Sequence, residues 1–188
     1  MPKIGFAPFL LTAVIVSACS GAPDQRIAVP KAGVGATQSI AYRSVALREV
    51  SLPSYAASEE IYVADDAGLL NSTAGLLWAD DPSRAVTLEL SRYLSQITRA
   101  QIASEPWPFA GYPEAEVELR IEDMLAHADG TFRLSGQYFV SSETGRDRAR
   151  LFDLTVPIEG DATAADIAAA RGQAVRDLAV AIARDGLR

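Results

Sequence analysis

Three amphipathic segments joined by short turns occupy residues 115–158, and they restrict the fold more than any other part of the sequence. In the first, residues 115–122, aliphatic side chains alternate with charged ones, a period of two that is typical of a strand with one wet face. Asp129-Gly130 is a hairpin signal before a second apolar segment over residues 132–140, and a further turn leads into residues 148–158. Turns this short join neighbouring antiparallel strands, so the sequence predicts an antiparallel meander.

A first long helix is predicted before the meander. Asp81 is a good N-cap, and Pro82 follows at the first helical position, where its missing N–H costs nothing. Apolar residues then recur at helical spacing at Val86, Leu90, Tyr93, Leu94 and Ile97. We expect this helix to end near Ala103, before the prolines of the next loop.

A second long helix is predicted at the end of the chain. Thr163 with Asp166 resembles a capping box, and an alanine-rich apolar stripe runs from Ile167 to Ile182. Gly186 is placed to end this helix. Small side chains along the stripe allow the helix to pack closely against a sheet or another helix.

The stretch between the N-terminus and the first helix has shorter β-rich pieces. Residues 42–52 suit a strand that Pro53 ends, and residues 61–63 suit another, followed by a turn at residues 65–68. A hairpin is expected around residues 71–74. Together these elements predict an α+β fold, a single domain with a mixed, mostly antiparallel sheet of five to six strands packed with two long helices.

The N-terminus has the features of a bacterial lipoprotein precursor. Residues 4–16 carry no charge and are 13 residues long, which suits a signal-peptide core better than a membrane span. Val16-Ser17-Ala18-Cys19 follows and resembles the lipobox, and Cys19 is the only cysteine of the chain. We therefore expect cleavage before Cys19 and acylation of this residue. An uncleaved signal anchor and a plain secretory signal are the alternatives.

This interpretation divides the chain into residues 1–18 as the signal peptide, 19–38 as an acylated N-terminus with a flexible tether, and 39–188 as the folded domain. Residues 26–29 are the one part of the tether that could pair as a strand. Three acyl chains, palmitate among them, would hold the protein on the membrane far more firmly than the single chain that gives marginal attachment. Ser20 after the cysteine resembles an address for the outer membrane.

The charge of the chain argues against several classes of partner. The formal net charge is −7, from 17 basic and 24 acidic residues. Lys3 is the one charged residue among residues 1–18. Removal of this segment leaves 16 basic and 24 acidic residues, a formal net charge of −8. An acidic chain without a basic cluster does not suit nucleic acid or electrostatic docking on anionic lipid.

The sequence offers no set of catalytic residues. His127 is the single histidine and is expected to be a solvated residue beside a turn. No Gly-x-Ser-x-Gly elbow, zinc ligand set or phosphate loop occurs. The glutamates between residues 114 and 122 would repel one another unless arginines face them, and Arg133 with Arg148 or Arg150 are the expected partners. We predict no catalytic residue, no metal and no cofactor.

A proline-rich loop at residues 104–113 presents three aromatic side chains, Trp107, Phe109 and Tyr112. They could contact a partner or the acyl chains of a lipid, or they could close the bottom of the core. The sequence alone does not separate these two interpretations.

Two short motifs carry a family resemblance. Leu52-Pro53-Ser54-Tyr55 and Leu77-Trp78-Ala79-Asp80 stand in an order, after a lipobox, that resembles the ABC-type transport auxiliary lipoproteins, the PqiC-like family. The motif positions are Leu52, Pro53, Tyr55, Trp78 and Ala79. Where this family often continues with a leucine and a basic residue, this chain has residues 56–60, Ala-Ala-Ser-Glu-Glu.

The resemblance implies a membrane-anchored periplasmic accessory of an ABC/MCE-type intermembrane phospholipid transport system. Its partners would be a periplasmic MCE-domain protein, with an inner-membrane permease and ATPase, and its place would be the periplasmic face of the outer membrane. Phospholipid is an implied ligand and a homo-oligomer an implied assembly. A structural or assembly lipoprotein of another outer-membrane complex is the alternative, and a lipid-modified hydrolase is disfavoured.

Overall fold

The computed structural model describes residues 24–143 and 145–188. Its strands are β1 (Gln25–Ile27), β2 (Ser44–Leu47), β3 (Glu60–Ala64), β4 (Leu70–Trp78), β5 (Gln101–Ser104), β6 (Ala115–His127), β7 (Thr131–Ser141) and β8 (Arg148–Pro157). Its helices are α1 (Pro82–Thr98) and α2 (Ala164–Ala181), and a π-helical turn follows at Ile182–Gly186.

The sheet is organised around β6, its longest strand. β6 pairs antiparallel with β7 along its length, and β7 pairs antiparallel with β8, which confirms the predicted meander. β2 runs parallel to the start of β6, with Val45 opposite Ala115, and β3 runs parallel to its end, with Val63 opposite Ala126. The α+β fold with a mixed sheet and two helices is confirmed, but within residues 24–143 and 145–188 the sheet has eight strands where five to six were predicted.

Helix α1 starts as predicted and ends earlier. Oδ1 of Asp81 accepts a hydrogen bond of 2.8 Å from the backbone N–H of Arg84. The helix ends at Thr98 because Arg99 takes a left-handed conformation, φ 61°, and its N–H bonds to the carbonyl of Ser95. Residues 101–103, predicted as the last turn of the helix, instead form β5 together with Ser104, and this strand pairs in parallel with β2.

Helix α2 begins with the predicted capping box, in which the side chains of Thr163 and Asp166 each accept from the other's backbone N–H. Its apolar stripe packs against β7, β8 and α1. The core lies between the helices and the sheet, and Leu90, Leu119, Leu134 and Leu178 are fully buried in it.

The predicted hairpin around residues 71–74 is wrong, because residues 70–78 form one strand. The chain turns earlier, between β3 and β4. There Oδ1 of Asp65 accepts from the backbone N–H groups of Ala67 and Leu69, and Gly68 takes φ +79°. This side chain stabilises the turn together with two backbone hydrogen bonds, from the N–H of Asp65 to the carbonyl of Leu69 and from the N–H of Gly68 to the carbonyl of Asp65.

Residues 24–41 lie along the folded body. β1 pairs in parallel with the end of β4, and Ile27 and Val29 pack against the core. Further on, the N–H of Ala32 donates to the hydroxyl of Tyr93 over 2.8 Å, and the N–H of Gln38 donates to the carbonyl of Ile97 over 2.8 Å. The sheet therefore includes Gln25–Ile27, which belong to the predicted tether at residues 19–38.

Within the described ranges, neither helix is long and apolar enough to cross a membrane.

Candidate functional site

The two sequence motifs meet in space. Tyr55 and Trp78 line the same small crevice in the core, together with Phe132 and Ile167. Trp78 is 6% exposed, and the hydroxyl of Tyr55 donates a hydrogen bond of 2.8 Å to Oδ1 of Asp123 on β6. These motif residues therefore hold the sheet to the helices and present little surface to a partner. Leu52 packs against the same core and is half-buried, as is Pro53.

The second motif also receives the N-terminal strand. The N–H of Ala79 donates to the carbonyl of Ile27 over 2.9 Å, and Nη1 of Arg26 donates to the carbonyl of Trp78 over 3.1 Å. Arg26 also pairs with Glu59 at 2.8 Å. The backbone of Trp78 and Ala79 thus binds Arg26 and Ile27, near the start of the described residues.

A buried pair of charges lies behind this strand. The side chain of Arg171 on α2 is 1% exposed, and that of Glu89 on α1 is 13% exposed, with Nη2 and Oε1 3.7 Å apart. The guanidinium carbon of Arg171 lies 4.7 Å from the ring centre of Trp78, a cation–π contact. Both charged groups line a cavity of about 240 Å³ that residues 27–29 of the N-terminal segment also line.

Burial dominates the titration of this pair. Burial raises the pKa of Glu89 above its usual value, and the nearby charge of Arg171 opposes the shift. Burial lowers the pKa of Arg171, and Glu89 opposes that shift in turn. Each group therefore depends on the other to stay charged out of water.

Sequence reasoning missed both residues because charged side chains on a helix are normally solvated. Their spacing carries the signal. Arg171 follows Ile167 by four positions, and Glu89 follows Val86 by three, so each lies on the apolar stripe of its helix. A charge on such a stripe indicates a buried polar feature.

The aromatic loop joins β5 to β6 and lies outside the core. The rings of Trp107 and Phe109 meet edge to face with centres 5.0 Å apart. Trp107 is half-buried and its Nε1 has no hydrogen-bond partner in the described ranges, whereas Phe109 is 42% and Tyr112 94% exposed. The loop therefore offers an exposed aromatic patch, which we define as Phe109 and Tyr112 together with Trp107, whose ring contacts Phe109.

Arginines do face the acidic row on β6, but they are not the predicted ones. Arg43 pairs with Glu114 at 2.8 Å, and Arg48 lies 3.3 Å from Glu116 and 3.4 Å from Glu118. These arginines lie directly before and after β2, because β2, not β8, is the neighbour of β6 on this side.

The arginines predicted for that role bind elsewhere. Arg133 pairs with Asp129 at 2.5 Å, and Nη1 of Arg148 donates to the carbonyl of Gly186 over 2.7 Å. Nη1 of Arg150 donates to the carbonyl of Ala149 over 3.1 Å.

His127 is half-buried at the end of β6, where a solvated position was expected. Its side chain is 20% exposed, and Nε2 lies 3.7 Å from Oδ2 of Asp123. No group of three or more histidine, cysteine, aspartate or glutamate side chains in the described part of the chain could hold a metal ion. Cys19 lies outside the described residues.

Comparisons with known proteins give the fold and the family. No curated protein matches the chain in sequence. The crystal structure of an uncharacterised protein has a TM-score of 0.70 at 15% identity, covering 86% of this chain and 99% of its own. A protein from Xanthomonas campestris has a TM-score of 0.69 at 16% identity, covering 87% and 94%.

The family comparison covers most of the chain. The family model described as "ABC-type transport auxiliary lipoprotein component" matches residues 26–183. This range begins in β1 and includes both motifs, the buried charge pair and the aromatic patch. The chain belongs to the family of ABC-type transport auxiliary lipoproteins.

Proposed function

We propose that this protein is a lipid-anchored periplasmic accessory of an ABC/MCE-type system that moves phospholipid between membranes, and that it docks to the MCE component at the outer membrane. The observation that carries the proposal is the family match over residues 26–183, which begins seven positions after the cysteine of a lipobox-like motif at residues 16–19. Its action would be docking and lipid handover, with no bond made or broken.

Anchoring by Cys19 is the first part of this proposal. Each methylene group of an acyl chain that is buried in the membrane contributes about 0.8 kcal/mol to the free energy of binding. A triacylated protein therefore stays on its membrane. We expect Cys19→Ser to block acylation and cleavage, and the precursor to leave the outer-membrane fraction on a density gradient. Ser20→Asp tests the sorting of the protein to the outer membrane. If Ser20 directs this sorting, the variant should move to the inner membrane while still acylated.

Docking is assigned to the aromatic patch. Exposed aromatic side chains are enriched at protein interfaces, and the patch lies beside a shallow depression of about 320 Å³. Tyr112 borders this depression, whose rim includes Glu116, Glu143 and Asp147. An apolar partner segment flanked by basic residues would complement this surface.

Photo-crosslinking with affinity capture tests the docking. A photoreactive amino acid replaces Tyr112 in the acylated protein, and the control carries it at Leu151, which is 77% exposed on β8. We expect crosslinks to an MCE-domain protein from position 112 and far fewer from position 151. Crosslinks between copies of the chain would report the homo-oligomer.

The alternative role gives a different result. If position 112 crosslinks only to an outer-membrane barrel, and capture from gently solubilised membranes recovers no MCE-domain protein and no phospholipid, the transport proposal fails in favour of an assembly role.

A further inference from the structure

The buried pair of Arg171 and Glu89 is incompletely satisfied. Nε and Nη2 of Arg171 and Oε2 of Glu89 are buried and have no hydrogen-bond partner in the part of the chain that the structure describes. The 3.7 Å between Nη2 and Oε1 is too long for a hydrogen bond. Buried charged groups without partners are costly, so they are rare unless a ligand or ordered water binds them.

The cavity beside the pair has room for a ligand. Its volume of about 240 Å³ exceeds that of one water molecule several-fold, since each water occupies about 30 Å³ in the liquid. Trp78 packs on the guanidinium of Arg171 and fixes its position. A fixed guanidinium with free N–H groups suits the oxygens of a phosphate or carboxylate.

The charges around the cavity narrow the ligand class. Arg92, Arg171, Glu89 and Asp80 line it, and Asp80 is paired with Arg84. This leaves two cationic groups and one anionic group facing the cavity. The free donors of Arg171 require an acceptor, whereas the free Oε2 of Glu89 requires a donor, and one molecule that carries both an acceptor and a donor would satisfy the pair.

We propose that this cavity binds a phosphate that carries a primary ammonium group, as in phosphoethanolamine, with the phosphate on Arg171 and the ammonium on Glu89. The two arginines favour phosphate over a single carboxylate, because phosphate brings more negative charge and more acceptor oxygens. The same chemical group occurs free in solution and as a phospholipid headgroup.

The place of the cavity in the chain suits a headgroup, and this step rests on the proposed function. Residues 27–29 line it, and Ile27 is eight positions after Cys19. Eight extended residues reach about 28 Å at most. An acyl group on Cys19 would therefore keep residues 27–29 close to the membrane surface.

Calorimetric titration tests the proposal on the full acylated chain in maltoside micelles. The probes are phosphoethanolamine, inorganic phosphate and ethanolamine, each at up to millimolar concentrations. We expect phosphoethanolamine to bind most tightly. Glu89→Gln should weaken the binding of phosphoethanolamine by about tenfold, because the amide cannot serve as the counter-charge of the ammonium group. The affinity for inorganic phosphate, which has no ammonium group, should stay equal or rise.

Arg171→Met should abolish binding of both phosphate probes, and methionine is chosen because its apolar side chain can still pack against Trp78, although Glu89 then loses its counter-charge. Glu159→Gln and Arg184→Met, on exposed residues, are the matched controls. Glu89→Gln retains the shape of the side chain, so it decides the question even if the Arg171 variant does not fold.

Three results would overturn the proposal: no binding of any probe, equal binding of phosphoethanolamine and phosphate, or equal phosphoethanolamine affinity in the Glu89→Gln variant. Phosphatidylethanolamine added to the micelles separates the two sources. Competition by the lipid identifies a headgroup site, and binding of the free compound alone identifies a soluble ligand. No transporter is present in this experiment, so its failure is distinct from failure of the crosslinking to an MCE-domain protein.

Discussion

The hydroxyl of Tyr55 donates a hydrogen bond of 2.8 Å to Oδ1 of Asp123, and this bond links the loop after β2 to the irregular point of β6. The register between β6 and β7 shifts between Ile121 and Asp123, so Asp123 belongs to a bulge. Bulges re-aim side chains, and this one directs a carboxylate towards the Pro-x-Tyr motif. The Pro-x-Tyr motif therefore has a structural role, which the sequence alone did not predict.

Removal of this bond should destabilise the domain modestly. We expect Tyr55→Phe to lower the free energy of unfolding by about 1 kcal/mol, because Asp123 is 31% exposed and water can replace part of the lost bond. Urea denaturation followed by circular dichroism measures the change. Tyr112→Phe is the control, since Tyr112 is 94% exposed and should have no effect. Equal stability of the two variants would show that the bond contributes nothing.

The same tyrosine should make stability depend on alkaline pH. Burial, with a smaller contribution from the bond to Asp123, raises the pKa of Tyr55 to about 12. The unfolded value is near 10, so the folded state favours the neutral phenol. This stabilisation is complete below about pH 10 and is lost as pH rises towards about 12.

Urea midpoints on either side of pH 10 measure this dependence. In the Tyr55→Phe variant the decline should be shallower. Some decline should remain, because burial also raises the pKa of Tyr138. A slope unchanged by the substitution would exclude Tyr55 as the titrating group.

Helix α2 has a glycine where the N-terminal segment crosses it. A Cβ on Gly172 would lie 2.8 Å from the carbonyl oxygen of Pro30 and 2.9 Å from Cγ1 of Val29. Gly172→Ala should favour the helix by about 1 kcal/mol but displace the segment. We expect faster hydrogen exchange at Ala32, whose N–H donates to Tyr93, while core amides stay protected. Gly33→Ala, with no neighbour within 4 Å of its Cβ, should leave exchange unchanged.

Periodicity predicted the parts of the fold that have a regular pattern of their own. The meander followed from alternation over residues 115–122 and from Asp129-Gly130, and α2 followed from Thr163 with its alanine stripe. β5 was missed because four residues directly after a helix are too few to show alternation. Only the open edge of β2 makes them a strand, and that is a tertiary effect.

The candidate site was predicted only in part, for a related reason. The aromatic patch was visible because prolines and Gly111 mark a loop, and its rings do lie outside the core. Arg171 and Glu89 were not predicted as site residues, because charged side chains on a helix are normally solvated, although their spacing places them on apolar stripes. Sequence alone could not show that two such positions on different helices face one cavity.

The centre of β7 should tolerate no side chain at Gly136. A Cβ there would lie 2.3 Å from the carbonyl oxygen of Arg120 and 2.9 Å from Cα of Ile121, both backbone atoms beside the bulge of β6. Because backbone cannot move aside as a flexible side chain can, we expect Gly136→Ala to lower the free energy of unfolding by about 1–3 kcal/mol. Urea denaturation measures the loss, with Gly35→Ala as a control that has open space around its Cβ. Wild-type stability in the Gly136→Ala variant would contradict the close approach of β6 and β7 at the bulge.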